Sequence, residues 1–185
     1  NNLQIITSLL NLQFKNIDNK NVNDAVAKSK DRINSMALIH TKLYQSSNLA
    51  SIDFGVYVTD LTNSITNSYS LNDNVKCIVT CVPSIFDIDL CINLGLIINE
   101  LLTNAYKHAF KGQESGLIKV TLTRNANEVY QLIVEDNGIG ISKSINVDDQ
   151  QSLGLEIVTA LTNQIEGTIK TTSNKGLKYS ILFEN

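Results

Sequence analysis

Tryptophan is absent from this chain, proline occurs once, at Pro83, and aromatic residues make up only 6% of it. With one proline and no Pro- or Gly-rich stretch, the sequence lacks the composition of a linker, a collagen-like repeat or a low-complexity tail. Basic residues do not predominate, and the formal net charge is −3. Both the basic footprint of a nucleic-acid binder and the polybasic patch of a membrane-surface protein are therefore missing, so no nucleic acid and no membrane contact is expected. The stretch Ile92 to Leu102 is strongly apolar, but no charge-free run reaches the roughly 18 residues that a membrane-spanning helix needs. The three cysteines, Cys77, Cys81 and Cys91, are an odd number and read as buried or free thiols in a reducing compartment. Together with two histidines they show no zinc-type ligand spacing. The start shows no signal-peptide pattern, and a cytoplasmic location is the expectation.

What is present is enough apolar material for a core. Hydrophobic residues make up 43% of 185, room for one ordinary domain with an extra element. The chain opens abruptly in a helical pattern without an initiating Met, as a piece of a longer protein would. Leu3, Ile6, Leu10 and Phe14 recur at helical spacing, with Ile5, Leu9 and Leu12 beside them. Residues 16–23 are polar and turn-like. A second helical stripe follows, through Val22, Val26, Ile33, Met36, His40 and Leu43. Two amphipathic helices with a short polar joint form a hairpin, which cannot bury so broad a stripe alone. Pairing with a second copy as a four-helix bundle would cover it.

Beyond residue 50 the periods alternate. Asp53 caps a helix with Val58, Leu61 and Ile65 on one face. The stretch from Val75 to Val82 is β-branched and reads as a strand, followed by a long apolar helix from Asp87 to Phe110. Ile118, Val120 and Leu122 alternate, as do Tyr130, Leu132 and Val134, giving two strands with one buried face each. Residues 142–151 are polar and without period, a loop. A helix from Leu155 to Ile165 precedes two last strands, at Ile169–Thr171 and Leu177–Phe183. The order predicts an α+β chain: a helical hairpin over 1–50, then a two-layer α/β sandwich over 51–185.

Two segments concentrate the polar chemistry. On a continuous α-helix, Glu100, Asn104, Lys107 and His108 fall at i, i+4, i+7 and i+8, on one face. A wet helix face near a C-terminus, where Lys107 and His108 suit the dipole, would look the same. The alternative is a site. The Asn104 amide oxygen suits Mg²⁺, Lys107 and His108 can neutralise phosphate oxygens, and Glu100 can accept a proton or orient a nucleophile. Asp136 closes a strand and leads into Asn137-Gly138-Ile139-Gly140. Gly138 and Gly140 permit positive φ and close approach of a flat ring, while the carboxylate can accept a hydrogen bond from an amine such as that of adenine. A tight turn after a strand is the plainer account of the same residues. Ser152-Leu153-Gly154-Leu155 opens a helix and reads either as an ordinary Ser cap or as an anion-binding N-terminus.

In order and spacing these segments resemble the ATP-binding domain of sensor histidine kinases. That domain belongs to the superfamily that also holds gyrase, the heat-shock chaperone ATPases and the mismatch-repair ATPases (the GHKL, or Bergerat, fold). The segment Asn99-Glu100 through Asn104 to Lys107 resembles the asparagine box. Asp136 to Gly140 resembles the first glycine box, and Ser152 to Val158 the second. Lys175-Gly176-Leu177 through Phe183 sits where the last glycine-containing strand belongs. Three stretches of the first fifty residues resemble the dimerisation region of the subfamily related to the HWE kinases: Asn1-Asn2-Leu3-Gln4-Ile5-Ile6, Arg32-Ile33 and Ala37-Leu38-Ile39-His40. The resemblance implies a homodimer and Mg-ATP as the nucleotide. It also implies phosphoryl transfer to a histidine and then to an aspartate of a response regulator receiver domain, under an upstream sensor module. Carried over by motif, Glu100 is the general base or orienting carboxylate, Asn104 the Mg²⁺ ligand, and Lys107 and His108 phosphate contacts. Asp136 is the adenine anchor, and Gly138, Gly140 and Gly154 shape the pocket.

The sequence departs from the pattern in places. The family's acceptor histidine sits a few residues before the Asn-Asn-Leu-Gln segment, so a chain beginning there is expected not to phosphorylate itself. His40 lies in the stripe of the second helix and reads as structural. Ser152 and Leu177 stand where many members carry glycine and threonine. Two other readings compete: a degenerate kinase core serving as a nucleotide-binding or dimerising scaffold, and another superfamily member such as an anti-sigma-type serine kinase or an ATP-gated clamp.

Overall fold

The computed structural model describes residues 51–69, 74–140 and 153–185, with four single positions in the first fifty, Val26, Ser29, Ile33 and Ala37, all helical. The expected hairpin as a whole, His40, Ser152 and the polar loop 142–151 lie outside the described residues.

The chain order from residue 51 is β1 (Ile52–Asp53), α1 (Phe54–Tyr69), β2 (Val75–Cys81), β3 (Ile85–Phe86) and α2 (Ile88–Asn104), which runs into a five-residue π-helical turn, Ala105–Ala109. There follow β4 (Gly116–Arg124), β5 (Tyr130–Asp136), α3 (Leu153–Gln164), β6 (Thr168–Ser173) and β7 (Leu177–Phe183). The expected Asp53 cap is in place, and Asp87, expected as the first residue of α2, caps that helix instead. Asp53 Oδ1 accepts from the Val56 amide at 3.1 Å, and Asp87 Oδ1 from the Leu90 amide at 2.7 Å. Each satisfies an amide that helix geometry leaves without a partner.

Five strands form one sheet in the order β2-β4-β5-β7-β6, with β2 parallel to β4 and the other pairs antiparallel. The period-2 expectation for β4 and β5 holds. Ile118, Val120, Leu122, Leu132 and Val134 are all buried on the face that meets the helices. The opposite face carries Lys119, Glu135 and Lys178, with Glu135 3.8 Å and 3.7 Å from the two ammonium groups. These half-exposed pairs contribute little to stability. The helices α1 and α3 flank α2 on the apolar face, completing a two-layer α/β sandwich.

β1 and β3 pair antiparallel, Ile52 opposite Phe86. At two residues each they are too short to show an alternation. They position an aromatic cluster in which Phe86 contacts Phe54 (5.2 Å between centroids), Tyr130 (4.9 Å, edge-on) and Phe183 (5.9 Å). This cluster lies at one end of the sheet. β5 begins there at Tyr130 and ends at Asp136, and α2 begins there and runs through the π turn to Ala109. The helix Ile88–Ala109 has the length and a mean hydropathy of 1.3 that a membrane span would have, but 72% of that window is buried inside the fold, as a core helix is.

Candidate functional site

The end of α2 meets the turn after β5. The Ile139 amide donates to the Ala109 carbonyl at 2.8 Å. A Cβ on Gly138 would overlap that carbonyl oxygen and stand 2.7 Å from both the carbonyl carbon and the Cβ of Ala109. The two segments singled out in the sequence are therefore in direct backbone contact. The residue that permits the contact is Gly138, through its missing side chain. The expectation of positive φ holds at Gly140 (φ +66°) but not at Gly138, which is absent from the positive-φ glycines. A Cβ at Gly140 would lie 2.9 Å from Ser173 Oγ, against the β6–β7 turn.

Asp136 is half-buried at the end of β5, on the helix side of the sheet. Its Oδ1 accepts from the Gly138 amide at 2.9 Å and from the Leu177 amide at 3.3 Å. Both bonds use the same oxygen, which leaves Oδ2 as an acceptor for an amine donor. Burial pushes the Asp136 carboxyl above the usual carboxylate range, and the Gly138 and Leu177 amides oppose that shift. Tyr179 shares the neighbourhood: burial raises its phenol, and the Asp136 charge raises it further.

Two residues of this turn were missed as site residues. Asn137 extends the β4–β5 pairing, its Oδ1 accepting from the Leu117 amide at 2.7 Å and its own amide donating to the Leu117 carbonyl at 3.1 Å. An Asn next to a strand end is a side-chain-to-backbone bonding signal in itself. Gly176 has φ +118°, and a Cβ there would overlap the Asp136 carbonyl oxygen and lie 3.1 Å from Asn137 Cα. Its place in Ser173-Asn174-Lys175-Gly176, a turn between two strands, was the available clue.

The polar row on α2 is not one evenly solvated face, which counts against the plain wet-face reading. Glu100 is only 4% exposed. Asn104 is half-buried, and so is Lys107, whose Nζ stands 5.3 Å from the centroid of the Tyr69 ring on α1. His108 is exposed. Glu100 is buried within the regular α-helix, and beyond Asn104 the π turn alters the row further. Its i→i+5 bonding makes a wider turn, so each residue advances through a smaller angle and positions after Asn104 lag behind their α-helical places. Gly154 lies buried in the first turn of α3. An open cleft of about 410 Å³ adjoins this end of the sheet, lined by Asp136, Asn137, Gly176 and the lysines of the outer face. Glu100, Asn104, Lys107 and His108 do not line it. It opens on the helix-free side and is distinct from the α2–turn junction.

Comparison with known proteins agrees with this geometry. A histidine kinase family model matches residues 1–69, and a model described as histidine kinase-, DNA gyrase B-, and HSP90-like ATPase matches residues 91–184, just over half the chain. The sensor histidine kinase PdtaS of Mycolicibacterium smegmatis is 28% identical over 91% of this chain and 34% of its own length. The blue-light-activated histidine kinase 2 of Erythrobacter litoralis is 25% identical over 93% of this chain and 50% of its own. The chain thus spans about a third to a half of these relatives. Among solved structures, the histidine kinase domain of an Erythrobacter litoralis blue-light-activated histidine kinase superposes with a TM-score of 0.77 at 21% identity, covering 99% of this chain and 85% of that one. The ATPase family model thus matches more than half the chain, and the fold superposes on a histidine kinase domain. On that ground the chain belongs to the histidine kinase-, DNA gyrase B- and HSP90-like ATPase family, as a sensor histidine kinase core.

Proposed function

We propose that this chain binds Mg-ATP at the junction of α2 with the β5 turn and supplies the γ-phosphoryl group to a histidine, in a two-component relay that ends on a response regulator aspartate. The observation that carries the reading is the Ala109–Ile139 hydrogen bond beside the close contact at Gly138, which draws Asp136 and the Asn104 end of α2 to one place. The donor set fits the nucleotide. Asp136 has an acceptor oxygen outside its own turn, on a half-buried carboxylate where a charge-assisted bond to the adenine amine is strong. The Asn104 amide oxygen would hold Mg²⁺, which when bound neutralises phosphate charge. Lys107 supplies positive charge to the phosphate oxygens and His108 a ring N–H donor, and Gly140 and Gly154 shape the pocket. Glu100, one turn before Asn104, accepts the imidazole proton or orients the ring as the γ-phosphorus passes from the ADP oxygen to nitrogen. Such a transfer needs positioning and electrostatics more than covalent help from the protein.

The domain division follows the same reading: residues 1–50 as the dimerisation hairpin of a homodimer, residues 51–185 as the ATP-binding unit, with a receiver domain and an upstream sensor module as partners in the cytoplasm. Titration calorimetry with a non-hydrolysable ATP analogue, with and without Mg²⁺, tests it. Saturable, Mg²⁺-dependent binding is expected, and Asn104→Ala should abolish it with little loss of fold. Normal binding by that variant would sink the assignment. No binding to well-folded wild type would turn the reading to a scaffold.

A further inference from the structure

Lys107 is held by α1. Its Nζ lies 5.3 Å from the Tyr69 ring centroid. The Tyr69 ring in turn stacks on Tyr106, with centroids 5.9 Å apart and 11° between planes. The Tyr106 hydroxyl and Thr66 Oγ1 share a hydrogen bond of 2.9 Å. Thr66 and Tyr69 stand one turn apart at the end of α1, so that helix end grips Tyr106 and Lys107 through a hydroxyl and a ring face. Both Tyr106 and Lys107 lie in the π turn Ala105–Ala109.

Resting on the ATP reading above, we infer that Tyr69 is a positioning residue for the Lys107 ammonium, stacked on Tyr106 so that the end of α1 sets the strength of the phosphate grip. A lysine side chain has large rotamer freedom to lose when it fixes on a phosphate. A ring face orders the ammonium without neutralising it, because the attraction is to the ring quadrupole and the charge stays intact. The ammonium is thereby pre-ordered near the site and still attracts phosphate oxygens. α1 is also the last element of the segment matched by the histidine kinase model, which ends at residue 69. The platform thus joins an element matched by that model to the helix end matched by the ATPase model.

The test is calorimetric titration of the whole chain and its variants with the Mg²⁺ complex of the ATP analogue and, separately, with adenosine. Tyr69→Ala is expected to weaken analogue binding about fivefold, the size of a modest cation–π contact expressed as affinity, and to leave adenosine binding unchanged. Tyr69→Leu, which keeps apolar bulk but has no ring, should do the same, and Tyr69→Phe should retain wild-type affinity. In a Lys107→Met background Tyr69→Ala should add nothing, since neighbours acting through one contact are not additive. Equal losses for analogue and adenosine would assign Tyr69 a purely structural role and overturn the proposal. Unchanged or tighter analogue binding by Tyr69→Ala and Tyr69→Leu would overturn it as well. Failure of the unsubstituted chain to bind the analogue would instead overturn the ATP reading, and the platform with it.

Discussion

Replacing Gly138 by alanine strikes the contact on which the site depends. The new Cβ would overlap the Ala109 carbonyl oxygen and stand 2.7 Å from the carbonyl carbon. Those obstacles are backbone at the end of a core helix, so no flexible side-chain tip can swing aside. Relief requires lifting the turn from the helix, which breaks the 2.8 Å bond from the Ile139 amide to Ala109. Loss of that bond costs about 1 kcal/mol. Forcing a methyl group into a filled contact adds about 1–3 kcal/mol. Together that is about 2–4 kcal/mol, which at a urea m-value of about 2 kcal/mol/M lowers the unfolding midpoint by about 1–2 M. Gly112→Ala is the control. Its φ is +75° but nothing lies within 4 Å of the added Cβ, so only backbone strain of about 1 kcal/mol enters. Because the chain has no tryptophan, far-ultraviolet circular dichroism is the probe of choice. The same samples, titrated with the ATP analogue, should show Gly138→Ala weakened and Gly112→Ala unaffected. A Gly138→Ala midpoint no lower than that of Gly112→Ala would refute the steric reasoning.

Asp136 makes stability depend on pH with a definite sign. Burial raises its folded pKa above the ordinary 3.8, so its contribution is fully present below that value and is lost as pH rises through the folded pKa. Asp136→Asn, which can keep both backbone bonds, should therefore gain on wild type across the acid carboxylate range and hold a constant offset at neutral pH. Urea midpoints of the two proteins that stay a fixed distance apart from acid to neutral would contradict this. The same variant should weaken ATP-analogue binding by losing the carboxylate partner of the adenine amine, and undiminished affinity would count against the anchor role. Burial pushes the Cys91 thiol up to about 12 and Cys77 to about 11. At pH 8 the Cys91 thiolate population is then about a thousandfold below that of a thiol with pKa 9, and alkylation of the folded protein should be correspondingly slow by mass spectrometry. The stability these neutral thiols contribute is present below pH 9 and lost as pH rises through about 11 to 12; rapid Cys91 labelling without unfolding would be inconsistent with its burial.

Much of the sheet and of the helix starts is legible in the sequence, because their causes are local. Ile118, Val120 and Leu122 alternate because one face meets helices and the other meets water. Asp53 and Asp87 announce α1 and α2 because a carboxylate at a helix start satisfies an amide that no carbonyl reaches. The π turn is illegible for the complementary reason. Ala105-Tyr106-Lys107-His108-Ala109 suits an α-helix as well as a π-helix, and one extra residue in a turn leaves no mark on so short a hydrophobic period. What accompanies that register is tertiary: Tyr106 bonded to Thr66, Lys107 over Tyr69, and the Ala109 carbonyl committed to Ile139. The glycines divide along the same line. Gly138 and Gly140 look alike in sequence, both read as torsional freedom in an Asp-Gly turn. Only Gly140 uses that freedom, while Gly138 answers to a carbonyl far upstream in the chain. A motif therefore states which residues a site requires, but whether glycine is required for its torsion or for its emptiness is decided by what packs against it. The two cases call for different substitutions. A residue tolerant of positive φ, such as asparagine, can stand in only where torsion is the sole constraint; at Gly140 a Cβ would also lie 2.9 Å from Ser173 Oγ and 3.1 Å from the Gly176 carbonyl oxygen, and at Gly138 every side chain meets the Ala109 backbone.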